Sequence, residues 1–370
     1  MSHPYPVAPP AQPVPAEHPA LRPRGDWSVS WHGVRTVARL ELTQRLRSTR
    51  WKVALGVWFL VVGGICLLIT TTVTSNATRG IEIGPLMFGL NVIFIISMGL
   101  LVTPTLSSAA INGDRIAGTL AILQVTLLTS IEITLGKVLA GWVASLAFLV
   151  ISVPFFLWSF AAGGVRVTAV LSTLVLVALI LAVVSAISVG FSALVSKPTG
   201  STVLAYLAVA ALTFGTLIIF SLTLIPMTET QHSSVLQASE WDSTTGEVIA
   251  CEVQYSQEQV MHTERTWWLL AMNPYVVVAD AAPGREAFAL SLDPLSAIRE
   301  GVRMARNGAN EPSSSCPASI SGVEDREPST APMWPLGLAI NLLLGAGAIV
   351  LSVRRLRIPQ RTMARGTRVA

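Results

Sequence analysis

The sequence predicts an all-α integral membrane protein with six transmembrane helices, and three observations carry that prediction. The chain is 52% hydrophobic but only 12% charged, where ordinary soluble domains carry about 25% charged residues. Six apolar runs reach the ~20 residues that a helix needs to cross hydrocarbon. The basic residues gather beside those runs rather than spreading over the chain, as they do where charge sets membrane orientation.

Residues 1–25 hold eight prolines, Pro4, Pro6, Pro9, Pro10, Pro13, Pro15, Pro19 and Pro23. That density forbids helix or sheet and predicts an extended, disordered tail, with no apolar core of the kind a secretory signal needs. Over 26–52 the pattern changes: Val34, Ala38, Leu42 and Leu46 recur at helical spacing among Arg35, Arg39, Arg45, Arg47 and Arg50. With Trp27, Trp31 and Trp51 suited to headgroup depth, this predicts an amphipathic interfacial helix. Five spans follow at 53–73, 85–111, 138–161, 167–195 and 201–225, and a sixth at 334–353. Small residues in them, such as Gly63, Gly64, Ser185, Ser188 and Gly190, read as helix-packing positions, and Pro154 as a kink in the third span.

Orientation follows from the flanking cations. The N-terminal segment is Arg-rich, and the tail 354–370 carries Arg354, Arg355, Arg357, Arg361, Arg365 and Arg368 without an acid. Both termini are therefore expected in the cytoplasm of a cell with a plasma membrane of bacterial type, which six spans satisfy. The basic isoelectric point then reflects topology, and no nucleic-acid partner is expected. Residues 226–333 become an extracytoplasmic segment; they lack Lys and carry Glu229, Glu240, Asp242, Glu247, Glu252, Glu258 and Glu264 before their first Arg. Within it, 266–282 is weakly apolar and broken by Asn273-Pro274. It predicts a re-entrant or interface-lying helix, full crossing being the alternative. Residues 293–306 predict a surface helix and 307–330 a Ser/Pro/Glu-rich loop. Cys251 and Cys316 would share this oxidising side and form one bridge, or else stay unpaired if their Cα atoms are too far apart. Cys66, among apolar neighbours of the first span, is expected as a buried hydrophobe.

The chemistry that is missing narrows the function. The interiors of the six spans as drawn contain no ionisable residue, whereas proton- or ion-coupled carriers need such groups there. The five histidines, His3, His18, His32, His232 and His262, lie outside the spans without metal-ligand spacing. Gly136-Lys137 continues into Val138 and lacks the Gly-rich lead of a phosphate loop. No cofactor is expected on this chain, no metal, and no catalytic residue of its own. The Asn76-Ala77-Thr78 sequon reads as chance.

Between the second and third spans lies a polar island, 112–137. Taken as one helix, it places Ile116, Leu120, Leu123, Leu127 and Ile131 on one face and Arg115, Thr119, Thr126 and Ser130 beside them. It is too polar to cross, so it should lie at a membrane face, open to a partner. Its acid-Arg pair Asp114-Arg115, then Gly118-Thr119-Leu120, then Leu135-Gly136-Lys137 opening the next span, resembles the second-to-third span connection of type 2 ABC exporter permeases. Ile116, Ala117 and Ala121 depart from that pattern, standing where charged residues are common. The resemblance implies a coupling helix at 112–130 that docks on an ABC ATP-binding subunit, which would hold the ATP and Mg. It implies coupling roles for Asp114, Arg115, Gly118, Thr119, Leu120, Leu123, Gly136 and Lys137. It also implies a second permease chain, as homodimer or heterodimer, with the bilayer around both. The alternatives are a secondary carrier, or a membrane sensor or assembly protein.

Overall fold

The computed structural model describes residues 25, 27–75, 83–120, 128–241, 248–282, 293–308 and 331–356. Six of its helices are long and apolar enough to cross a membrane. The first element, α1 (Trp31–Leu46), turns within a few residues into the first of these, α2 (Thr49–Ser75). Then come α3 (Ile83–Ser107), the short α4 (Asn112–Ile116), α5 (Ser130–Ala161) and α6 (Val167–Leu194). The fifth span is α7 (Pro198–Ala210), a π turn over Ala211–Gly215, and α8 (Thr216–Leu224).

The third span starts at Ser130, not at 138 as expected from hydropathy. Thr129 and Glu132 form a capping box there, so the helix begins before the apolar run does. Inside the bundle, where lipid offers no hydrophobic drive between helices, small side chains let backbones approach and hydroxyls bridge them. The hydroxyls of Ser107 on α3 and Ser185 on α6 lie 3.1 Å apart, and Ser185 also donates to the Val138 carbonyl of α5 at 3.0 Å. Between them Gly141 leaves no room for a Cβ, which would meet Ser107 Oγ. Farther along, Asn91 donates to Ser159 Oγ at 3.2 Å and accepts from Cys66 Sγ at 3.3 Å, joining α2, α3 and α5. Cys66 is a buried free thiol, as expected.

The helix ends divide the molecule into two faces. One holds α1, α4 and the ends of the spans that meet them. The other holds the described residues between the fifth and sixth spans, beginning with an antiparallel ribbon of β1 (Thr228–Trp241) and β2 (Val248–Met261), Thr228 opposite Met261. Each strand has 14 residues, or about 47 Å of extended chain. The ribbon was not anticipated.

After it come a 3₁₀ turn (Thr263–Arg265), α9 (Trp268–Ala271), α10 (Pro274–Ala281), α11 (Pro294–Asn307) and the last span α12 (Trp334–Leu356). The 266–282 stretch is thus two short helices broken at Asn273, and α10, with 8 residues, rises only about 12 Å, too short to cross. It is driven in among the spans: Val277 and Ala279 are fully buried, Tyr275 Oη meets Ser97 Oγ of α3 at 2.7 Å, and Ser172 of α6 donates to Ala281 O at 3.3 Å. The surface helix expected at 293–306 forms as α11, with Asp293 capping the amides of Leu295 and Ser296. Cys251 lies in β2 opposite Ala238, while Cys316 and the 309–330 loop lie outside the described residues, as do the 1–24 and 357–370 tails.

Two polar anchors hold the wedge made by α9 and α10. A π turn releases a backbone carbonyl from the helical ladder, and Asn273 Nδ2 takes it, donating to Thr213 O at 2.7 Å and to Thr216 Oγ1 at 3.1 Å. The same Asn273 caps α10 through Tyr275 N at 2.9 Å. Asp280, its side chain wholly buried, accepts from Met333 N at 2.6 Å and Trp334 N at 2.9 Å, capping α12, and from Arg303 Nε at 2.9 Å. Against α9, Gly337 of α12 sits so close that a Cβ would run into the Ala271 carbonyl.

Candidate functional site

At the α1 face the expected single helix over 112–130 does not form. The helix α4 ends at Ile116, Gly118 takes a left-handed φ of 72°, and helical backbone resumes at Thr119 and Leu120. No atom lies within 4 Å of the place a Gly118 Cβ would take, so the glycine is required there by backbone conformation, not by space. At the far end Thr129 has extended backbone and starts α5. The projected stripe therefore breaks: Ile116 is 68% exposed while Leu120 is buried with Ile111, Ile133, Val189 and Leu356. Leu123, Thr126 and Leu127 lie outside the described residues.

The exposed tip, 116–119, stands on a fixed base. Ser192 Oγ, at the end of α6, accepts from Ile111 N at 2.9 Å and Asn112 N at 3.1 Å. Asn112 Nδ2 donates to Ser201 Oγ of α7 at 2.7 Å, and Ser201 donates on to Ser108 O at 2.6 Å. Each bond satisfies a backbone or amide group that the end of α3 would otherwise leave buried and unpaired. Thr119 Oγ1 closes the turn by donating to Asp114 O at 3.3 Å.

Lys137 organises the site. Its side chain is 1% exposed, and its Nζ lies 2.5 Å from Asp114 Oδ2 of α4 and 2.6 Å from Glu41 Oε1 of α1. A buried ammonium is tolerated only when it is paired and hydrogen-bonded; here two carboxylates from two peripheral elements do this, at 26% and 16% exposure. Asp114 and Lys137, named from sequence as docking residues, thus pair with each other. Glu41, which completes the trio, escaped sequence reasoning: it is one acid in a basic helix, 96 residues from Lys137. One turn on, Arg45 donates to Leu106 O at 2.7 Å, tying α1 to the end of α3. Burial pulls the Arg45 guanidinium below its ordinary value, and Glu41 nearby acts in the opposite sense.

A second buried carboxylate fastens the start of α1. Glu132 accepts from Thr129 N at 2.9 Å through one oxygen and from Ser30 N, at the N-cap of α1, at 2.6 Å through the other. Thr129 Oγ1 donates to Ser28 O at 2.8 Å. Between these bonds the helices touch at Gly136, where a Cβ would lie 2.6 Å from Val37 Cβ and 3.0 Å from Val34 O. So Gly136 is a packing position under α1, while Arg115, half-buried, makes no ion pair among the described residues.

Over the spanning stretches 51–72, 83–116, 130–161, 167–194, 198–224 and 334–356, every Asp, Glu, Lys and Arg lies at this face: Lys52, Asp114, Arg115, Glu132, Lys137, Arg354 and Arg355. The longer α5 brings Glu132 and Lys137 inside a spanning helix, which corrects the expectation that the spans are free of charge; both still sit in its first turns. No protein-family model matches the chain, and no relative is found among curated proteins.

Proposed function

We propose that this chain is the permease subunit of an ATP-driven ABC exporter, with the 112–120 segment as the contact for an ATP-binding subunit. The observation that supports it is mechanical. Where the motif led us to expect a single helix, an exposed turn, 116–119, rests on a base bonded to α6 and α7 and, through Asp114 and Lys137, to α1 and α5. A push on that turn would reach four elements through hydrogen bonds and ion pairs. The ATPase chain would hold ATP and Mg and perform hydrolysis. This chain, paired with a second permease copy or homologue, would form the path across the bilayer. The cations at the α1 face favour its placement in the cytoplasm of a bacterial cell, with both termini inside and the ribbon outside.

The test is co-purification from native membranes. An ATP-binding-cassette chain should accompany the tagged protein and hydrolyse ATP in a vanadate-sensitive way. Gly118→Pro, which forces φ to about −65° where the turn needs the opposite sign, should insert normally but lose stimulated hydrolysis. Stimulated hydrolysis at the wild-type rate in that variant would end the assignment. For orientation, Ser233→Cys should react with an impermeant thiol reagent on intact cells and Thr362→Cys should not; the reverse pattern would invert the topology.

A further inference from the structure

We propose that the outward arc of α1 is a binding surface for the headgroups of anionic phospholipids. The helix has two unlike sides. Gly33, Val34, Val37 and Ala38 are buried, and the side bearing Val34 and Val37 lies against Gly136 of α5. On the opposite arc Trp31 is 67% exposed and Leu46 58%. Arg35 and Arg39 project between them at helical spacing, and Arg47 follows at the C-cap.

The charge on this arc is uncompensated. Among the described residues no carboxylate pairs with Arg35, Arg39, Arg47 or Lys52, whereas Glu41, Asp114 and Glu132 all turn inward, to Lys137 or to backbone amides. Glu41, Asp114 and Glu132 are withdrawn into the junction, and Arg35, Arg39 and Arg47 are left outside. A surface that mixes Trp and Leu with unpaired Arg fits the boundary layer of a membrane, where apolar groups enter the acyl region and guanidinium groups reach phosphate. A soluble acidic protein would satisfy the arginines but leave Trp31 and Leu46 in water.

Continuity with α2 commits the surface to lipid. The spanning helix begins three residues beyond Leu46, and its Val53, Val57 and Leu60 are exposed large hydrophobics. The side of the protein met by lipid tails thus runs on into the arc of α1. A cluster of arginines beside a span is the arrangement that selects anionic over zwitterionic lipid, through a field that salt screens. The proposal stands whether or not the chain partners an ATPase.

Trp31 reports on its own neighbours. The full-length protein is reconstituted in phosphatidylcholine vesicles containing a minor fraction of brominated phosphatidylglycerol or, in parallel, the same amount of brominated phosphatidylcholine. The Trp31 signal is taken as the difference from Trp31→Phe. Brominated phosphatidylglycerol should quench it about threefold more strongly, and the excess should fall away as salt is raised through the range where the Debye length drops below about 5 Å. The excess should vanish in R35Q/R39Q/R47Q and persist in R35K/R39K/R47K, neither of which touches the inward bonds to Glu132 or Lys137. Equal quenching by the two lipids, or an excess indifferent to salt, would overturn the proposal. So would the absence of quenching by either lipid, which would mean that a protein, a second copy or an ATP-binding chain, covers the arc. The salt titration needs only the Trp31→Phe control and stands even if the glutamine triple fails to fold.

Discussion

The two ends of the bundle both bury charge, and they do so in different ways. At the ribbon face Asp280 is held by the backbone amides of Met333 and Trp334 at the start of α12 and by Arg303, and Asn273 by a carbonyl and a hydroxyl of the π-turned span. Most of those partners are main chain and cannot leave without unwinding a helix. At the α1 face Lys137 is held by two side chains, Glu41 and Asp114, each partly open to water. Either can swing away and be hydrated. The ribbon face is therefore built as a fixed anchor and the α1 face as a junction that can be broken locally, which suits the coupling role proposed for 112–120.

Substitutions at four positions test that contrast. The largest effect is expected at the anchor. Gly337→Ala puts a methyl group into the Ala271 carbonyl, and the overlap is with backbone, which cannot rotate aside. A loss of about 3 kcal/mol or more, or failure to accumulate in the membrane, should follow. A normal unfolding midpoint in detergent would mean that α12 and α9 are not rigidly seated. Asp280→Ala comes next. It leaves two helix N-terminal amides and a guanidinium without their acceptor, for a loss of about 2–4 kcal/mol, again read as a lowered global midpoint.

Lys137→Met should differ in kind. Glu41 and Asp114 lose their cation but can hydrate, so the global loss should stay near 2 kcal/mol, below the usual cost of orphaning a fully buried ion. Hydrogen exchange should quicken over 108–120 and in α1 while the ribbon face keeps its protection. If exchange rose equally at both faces, the distinction between anchor and junction would fail. The smallest effect belongs to Gly118→Ala, which costs about 1 kcal/mol for a left-handed alanine and should alter the tip alone. Gly118→Asn, better suited to that conformation, should cost less, and a reversed order between the two would contradict the turn geometry.

The spans were legible because hydropathy over twenty residues leaves few other structures available in lipid. The wedge was legible in outline, since Asn273-Pro274 breaks a run too short to cross. The ribbon was not: β1, Thr-Glu-Thr-Gln-His-Ser-Ser-Val-Leu-Gln-Ala-Ser-Glu-Trp, carries no sustained apolar/polar alternation and reads as a polar loop. In the island, helical periodicity was carried through two signals that should have stopped it. Gly118 marks a turn, and Thr129-Ser130-Ile131-Glu132 is a capping box written in the sequence. Asp114 and Lys137 were found by motif, but their pairing with Glu41 depends on α1 crossing α5, which no local pattern encodes. The choice between a Cys251–Cys316 bridge and two unpaired thiols falls on Cys316, which lies outside the described residues.

The fastening of α1 also has a history in time. Ser30 is bonded to a carboxylate 102 residues downstream, and Glu41 to an ammonium 96 residues downstream. At synthesis rates of about 5–20 residues per second, α1 waits roughly 5–20 s before its partners on α5 emerge. During that interval two spans have been made and the seat of the helix has not. Its Val34 and Val37 stripe has only the bilayer surface to rest on, and Glu41 has only water and Arg45 of its own helix. The third span, on arrival, lifts that stripe off the lipid and closes Lys137 between the two acids, so the junction can serve in assembly as the signal that the first half of the bundle is in register.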